Sequence, residues 1–181
     1  MPDSVTTIEK EIGKRIGEKP WLCYQCKKCT AGCPVSFAMD LMPHEIMNLL
    51  RWSASDRILA SSTIWLCASC ETCSVRCPNG IDIAGVMDAL RSISIDKHYR
   101  PGEPLVTAFH RSFLAGIMGA GRTNEPVLIG IYKILSGRLL DDIGLGVKMI
   151  LKRKIKPVPR FVKDRAAIRR IFREAKARRT K

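Results

Sequence analysis

The chain has 181 residues, 46% of them hydrophobic, and carries a formal charge of +14 at pH 7. That is enough for one folded domain, or a small domain with an extension, and it excludes a chain disordered over most of its length. The opening MPDSVTTIEKEIGKR is too polar for a secretory leader, and no apolar run approaches the roughly 20 residues that span a bilayer.

The best apolar stretch, EPVLIGIYKILSG, is short and interrupted by Lys133. These features point to a soluble, cytoplasmic protein with no membrane span. The charge is unevenly spread: from Lys148 to Lys181 there are 15 lysines and arginines against Asp164 and Glu174. The preceding residues are nearly neutral, so a balanced body carries a strongly basic tail.

In chain order, residues 5–18 form an amphipathic arm with Val5, Ile8, Ile12 and Ile16 at helical spacing, suited to packing on the body or on a partner. Pro20 introduces WLCYQCKKCTAGCP at 21–34. PHEIMNLLRW then predicts a helix with Pro43 in its first position and Ile46, Leu49 and Leu50 on its apolar face. A second helical piece from near Asp56 runs through Ile58 and Leu59 to WLCASCETCSVRCP at 65–78. Beyond it Asp82 is a candidate N-cap, and Ile83, Val86, Met87 and Leu90 fall at i, i+3, i+4 and i+7. RPGEP at 100–104 is a breaker cluster and marks a boundary.

Downstream, helices are predicted over 105–118, 126–136 (Pro126 at the start, Gly137 after the end) and 143–155. The last opens at Asp164 and runs to about Lys176, with Ile168, Ile171, Phe172 and Ala175 as a stripe among arginines. Gly119-Ala120-Gly121 reads as a helix-ending turn. A dinucleotide loop would need glycine where Asn124 stands, and a preceding strand. Strand signals are weak, so the class is mostly α. The organisation expected is an N-terminal arm (1–19), a cysteine-bearing module (20–100) and a helical, basic docking region (101–181).

All eight cysteines lie in the two matched phrases: Cys23, Cys26, Cys29 and Cys33, then Cys67, Cys70, Cys73 and Cys77. In a reducing compartment such clusters bind metal or do redox chemistry more often than they form disulfides. C-x2-C-x2-C-x3-C-P is the bacterial ferredoxin run. Three cysteines at three-residue steps let one looping segment reach three corners of a [4Fe–4S] cube. In two-cluster ferredoxins the fourth ligand comes from the other motif. Two clusters are therefore expected, one on Cys23, Cys26, Cys29 and Cys77, the other on Cys67, Cys70, Cys73 and Cys33.

Structural zinc is the alternative. It prefers paired C-x2-C knuckles, often with histidine, whereas each phrase here has a third cysteine and no histidine. His44, His98 and His110 are scattered and expected as surface or core residues. Trp21 and Trp65, each two residues before a first cysteine, are expected to pack in the core and shield a cluster. Lys27, Lys28 and Arg76 lie inside the phrases, where positive charge favours a reduced cluster; they also suit a docking patch for an acidic redox partner or a solvated surface. No nucleophile–base pair emerges from the spacing, so no catalytic residue is assigned.

The 33 residues between Cys33 and Cys67, helix-like in pattern, resemble the helical ferredoxin module of succinate dehydrogenase iron–sulfur subunits. The C-terminal half is similar to the C subunit of heterodisulfide reductase. Its Gly121, Arg122 and Glu125, then Tyr132, Lys133 and Gly137, match that family's pattern. So do Asp142, Leu145, Gly146, Lys148 and Met149, and finally Lys154, Lys156 and Pro157. The resemblance covers residues 20 to about 174. It implies a helical two-cluster ferredoxin module with a helical C-terminal extension.

It further implies an electron relay between a flavin-containing A-type subunit and a B-type subunit whose CCG motifs hold the disulfide-reducing site. This chain has no CCG and is not itself the B-type subunit. In methanogens the implied substrate is the mixed disulfide of coenzymes M and B; in other hosts related complexes act on other thiols or disulfides. A freestanding ferredoxin-type carrier is the alternative, although it has no need of the roughly 80 residues after the cysteine module. A nucleic-acid binder is suggested only by the basic tail, which has no reader module and only Phe161 and Phe172 as aromatics; no nucleic acid is expected. The tail is expected to dock in an acidic groove of a partner subunit or to remain a solvated surface.

Overall fold

The computed structural model describes residues 8–17, 19–52, 54–137, 141, 143–152, 154 and 161–179. Val5, Asp142, Lys156 and Pro157 lie outside the described residues. The fold is helical, with no strand among the described residues. The chain divides into two compact units, Met1–Pro104 and Leu105–Lys181.

In the first unit, α1 spans Ile8–Ile16, α2 Lys28–Ala31, α3 Pro43–Arg51 and α4 Ser55–Ala60. Three more follow: α5 (Thr63–Leu66), α6 (Thr72–Val75) and α7 (Ile83–Asp96). Short 3-10 turns occupy Pro20–Leu22 and Ser36–Ala38. The long helix α7 is the spine. Its Ile83, Val86, Met87, Leu90 and Ile93 are buried, against Ile46, Met47 and Leu50 of α3 and Ile58 and Leu59 of α4. Burying one such side chain contributes about 1.5–3 kcal/mol, so this contiguous cluster is the main source of the unit's stability.

Local sequence sets where α7 and α3 begin. Asp82 Oδ1 accepts from Gly85 N at 2.9 Å, a side-chain cap on an otherwise orphaned donor. A Cβ on residue 85 would come 2.3 Å from Asp82 Oδ2, so glycine lets the carboxylate fold over the first turn. At α3, Pro43 takes the first position and Glu45 Oε2 accepts from Met42 N at 2.7 Å.

The arm helix α1 packs on α7 and belongs to the body of the unit. Ile8 and Ile12 enter the core and Ile16 is half-buried against it. Arg15 bridges Glu11 at 2.6 Å and Asp96 of α7 at 2.9 Å, and also donates to Ser92. Glu9 is 3% exposed, and its two buried carboxyl oxygens have no hydrogen-bond partner among the described residues. Burial pushes its pKa up.

Helix α8 spans Pro104–Ala120 and lies in the second unit from Leu105 on; α9 (Glu125–Ser136), α10 (Ile143–Leu151) and α11 (Arg165–Arg179) follow there. Helix α8 ends in the turn expected of Gly119-Ala120-Gly121. Gly121 has φ +79° and donates its N–H to Ile117 O at 2.7 Å. A Cβ there would meet Val162 at 2.8 Å, which adds a packing reason for glycine. Helix α9 has Pro126 in its first turn and a left-handed Gly137 at its end.

Asp164 Oδ1 accepts from Ala167 N at 3.0 Å and opens α11. That helix runs to Arg179, beyond the predicted Lys176. Helix α10 stops at Leu151, where extension to 155 was expected; 153 and 155 lie outside the described residues. No residue of α9 is buried, and Ile134, Leu151 and Ile171 are well exposed. The apolar stripe of α11 is therefore only partly used: Ile168 and Phe172 are half-buried. Among the described residues, no helix is long and apolar enough to cross a membrane.

Glu9 supplies the first prediction. Its raised pKa means that the folded state binds this proton more tightly than the unfolded state, so the group destabilises the fold once it ionises. Glu9→Leu is expected to raise stability at pH 7 by about 1–3 kcal/mol. It should also remove the part of the wild type's stability that is gained as pH falls through that pKa. Denaturant unfolding across pH measures both.

Candidate metal centre

The two cysteine phrases repeat each other in backbone as well as in letters. Gln25 and Lys27 have φ of 57° and 63°; Ser69 and Glu71, 44 positions on, have 49° and 60°. In each phrase the second of these left-handed residues is the N-cap of a one-turn helix, Lys27 for α2 and Glu71 for α6. Non-glycine residues rarely adopt this conformation, at about 1–3 kcal/mol each, and they cluster at functional sites. Such turns aim successive N–H groups into a concavity, the anion-binding nest found at iron–sulfur sites. Here Gln25 N and Gln25 Nε2 each lie 3.4 Å from Cys23 Sγ.

Helices α2 and α6 pack together and bring the phrases side by side. Gly32 at the end of α2 makes room for Arg76 at the equivalent place after α6; a Cβ would stand 2.6 Å from Arg76 Nη1. Two neighbouring spaces result. One is lined by Cys23, Cys26, Cys29 and Cys77. The other is lined by Cys33, Cys67, Cys70 and Cys73. The structure thus brings together three cysteines of each phrase with the fourth of its twin. Ile83 at the start of α7 lines both spaces.

All eight cysteines are free thiols. Cys26 and Cys70 are exposed and Cys29 is buried. Burial pushes the Cys29 thiol up and the Cys73 thiol up to about 11, while the Thr72 hydroxyl lowers that of Cys70. A buried thiol of this kind gives up its proton when a metal takes its place. Among the described residues, no three His, Cys, Asp or Glu side chains are placed to hold a single metal ion. Four cysteines around a space match the need of a [4Fe–4S] cube for one thiolate at each corner.

Polar ties seat the loops. Asp40, just after the first phrase, accepts from Ser61 Oγ (2.6 Å), Ser62 N (3.1 Å) and Thr63 N (3.0 Å), just before the second. Burial alone would raise the Asp40 pKa, but these hydrogen bonds override it and hold the carboxyl well below its usual range. Arg91 of α7 donates to Ile64 O at 2.8 Å and Cys67 O at 3.0 Å. Asn79 Nδ2 donates to Leu22 O at 2.6 Å, and Ser74 Oγ to the capping Asp82 at 2.7 Å.

His44 is a residue that spacing did not mark. It stands 11 positions beyond Cys33, yet it lines the first space, and its Nδ1 is 2.8 Å from Thr30 Oγ1. His98 and His110 are exposed, as expected. The paired tryptophans differ: Trp65 is buried at 3% exposure, but Trp21 is 43% exposed. The expected shielding by Trp21 therefore fails. It sits in a 3-10 turn whose only buried residue is Pro20, whereas Trp65 rides on α5, which packs on α7. Lys27, Lys28 and Arg76 are all exposed.

Residues 22–82 match the protein family described as a 4Fe-4S dicluster domain. No curated protein matches the chain. The matched segment takes in all eight cysteines and ends on the N-cap of α7. The chain is an iron–sulfur electron-transfer protein with a ferredoxin-type domain built for 4Fe–4S chemistry.

The left-handed positions are directly testable. Lys27→Gly and Glu71→Gly relieve the φ strain and are expected to keep full iron content. Lys27→Val and Glu71→Val place a β-branched residue at positive φ, and should lower both the melting temperature and the bound iron. Iron analysis and thermal unfolding of anaerobically prepared protein compare the pairs.

Proposed function

We propose that the chain is the electron-relay subunit of a heterodisulfide reductase-like complex and holds two [4Fe–4S] clusters. Cys23, Cys26, Cys29 and Cys77 ligate one; Cys67, Cys70, Cys73 and Cys33 ligate the other. The observation that carries this reading is the pair of spaces, each lined by three cysteines of one phrase and the fourth of its twin. When bound, each cluster supplies a site that takes up and releases one electron. The chain's own residues keep these sites adjacent and dry on their inner side: Ile83 walls both, and Met87 lines the second. Cys26 and Cys70 face outward, which suits electron entry and exit.

The partners proposed are a flavin-containing A-type subunit as donor and a CCG-containing B-type subunit, where the disulfide is reduced. Their support is the resemblance of the C-terminal half, together with the exposed apolar residues of α9, α10 and α11 in a strongly basic region. A freestanding carrier has no use for so much uncovered apolar surface. Eight free thiols suit a reducing cytoplasm.

Anaerobic protein is expected to contain about eight irons and no stoichiometric zinc. Cys33→Ala should damage the cluster carried by residues 67–73 and largely spare that of residues 23–29. Selective loss of the latter, read by electron paramagnetic resonance, would reverse the ligand assignment. Truncation after Pro159 removes α11. It is expected to weaken assembly with the A-type and B-type subunits in size-exclusion chromatography while leaving iron content unchanged; unaltered assembly refutes a docking role for the tail.

A further inference from the structure

The two cysteine-lined spaces share a backbone but differ in chemistry. From that difference, and on the two-cluster reading above, we infer that the cluster at the first space has the higher reduction potential. An electron given to the second cluster by an external one-electron donor then passes to the first. That transfer oxidises the second cluster and reduces the first, with no bond made or broken.

The internal repeat acts as a built-in control. Residues 27 and 71 occupy the same place in their phrases and have the same left-handed backbone, φ 63° and 60°, yet one is lysine and the other glutamate. The next position is Lys28 in the first phrase and, in the second, Thr72, an uncharged residue whose hydroxyl pairs with Cys70 Sγ at 3.4 Å. Gln25, whose main-chain and side-chain nitrogens both approach Cys23 Sγ, is matched by Ser69, which has no amide side chain.

The remaining walls continue the contrast. Lys27, Lys28, His44 and Asn79 line the first space. Val35, Met39, Ala84 and Met87 line the second. Reduction adds negative charge to a cluster, and nearby cations and hydrogen bonds to sulfur favour it, whereas a neighbouring carboxylate opposes it. Arg76 does not discriminate: it adjoins Cys77 of the first set and lies against Gly32, which adjoins Cys33 of the second. Lys27, Lys28 and Glu71 are exposed, so salt attenuates their contribution without changing its sign.

The test is a redox titration of the anaerobic, iron-loaded full chain, followed by electron paramagnetic resonance, in the wild type, Lys27→Glu and Glu71→Lys. Two one-electron features are expected in the wild type. Lys27→Glu should lower the higher one, and Glu71→Lys should raise the lower one, each by about tenfold in the reduction equilibrium, or about 59 mV. Lys27→Gln and Glu71→Gln should give smaller shifts of the same sign, and serve if a charge reversal impairs iron loading.

If Lys27→Glu moves the lower-potential feature, or Glu71→Lys the higher, the order is the reverse of that inferred. Two features that stay put in all four variants overturn the inference while leaving two clusters standing. A single feature with about four irons per chain in the wild type overturns the two-cluster reading itself.

Discussion

Two loops 44 residues apart must lie against each other closely enough for each to hand its last cysteine to the other's space. Most of the first unit serves that constraint. The contact of α2 with α6, with Arg76 over Gly32, sets the loops face to face. Asp40 ties the exit of the first loop to the entrance of the second; Asn79 ties the exit of the second to the entrance of the first. Helix α7 starts where the two spaces meet, and its capping aspartate is held by Ser74 of α6. The hydrophobic core beneath is ordinary in composition. Its role is to make α7 a rigid base from which these ties can act.

The loops themselves carry strain and unfavourable burial. Four non-glycine residues have positive φ, and burial raises the pKa of two thiols. Neither feature stabilises the polypeptide alone. Both are offset when thiolates bind metal, because that free energy is shared between binding and folding. The repeated left-handed positions thus make the loops poised for a negatively charged guest, with the core and the polar ties keeping them in shape.

Much of the fold was readable from the letters. The 3.6-residue period located α3, α7 and α11, and Asp82, Pro43, Gly137 and Asp164 marked ends because each acts within a few residues of itself. The eight cysteines announced themselves by spacing. The one-turn helices α2 and α6 did not, because their left-handed N-caps are a lysine and a glutamate, neither of which signals such a conformation. His44, Asp40, Arg91 and Asn79 were equally silent. Their roles depend on contacts 14 to 57 residues away in sequence, which no local pattern encodes. The unequal tryptophans teach the same lesson: Leu-Cys follows each in the repeat, but only Trp65 rides on a helix that packs on α7.

Cys26 and Cys70 leave one sulfur of each set in contact with solvent. An edge open enough to hand an electron to another protein is also open to dioxygen and peroxide, which attack exposed thiolates first. In the complex proposed above, a docked partner closes that window, and durability in air belongs to the assembly more than to this polypeptide.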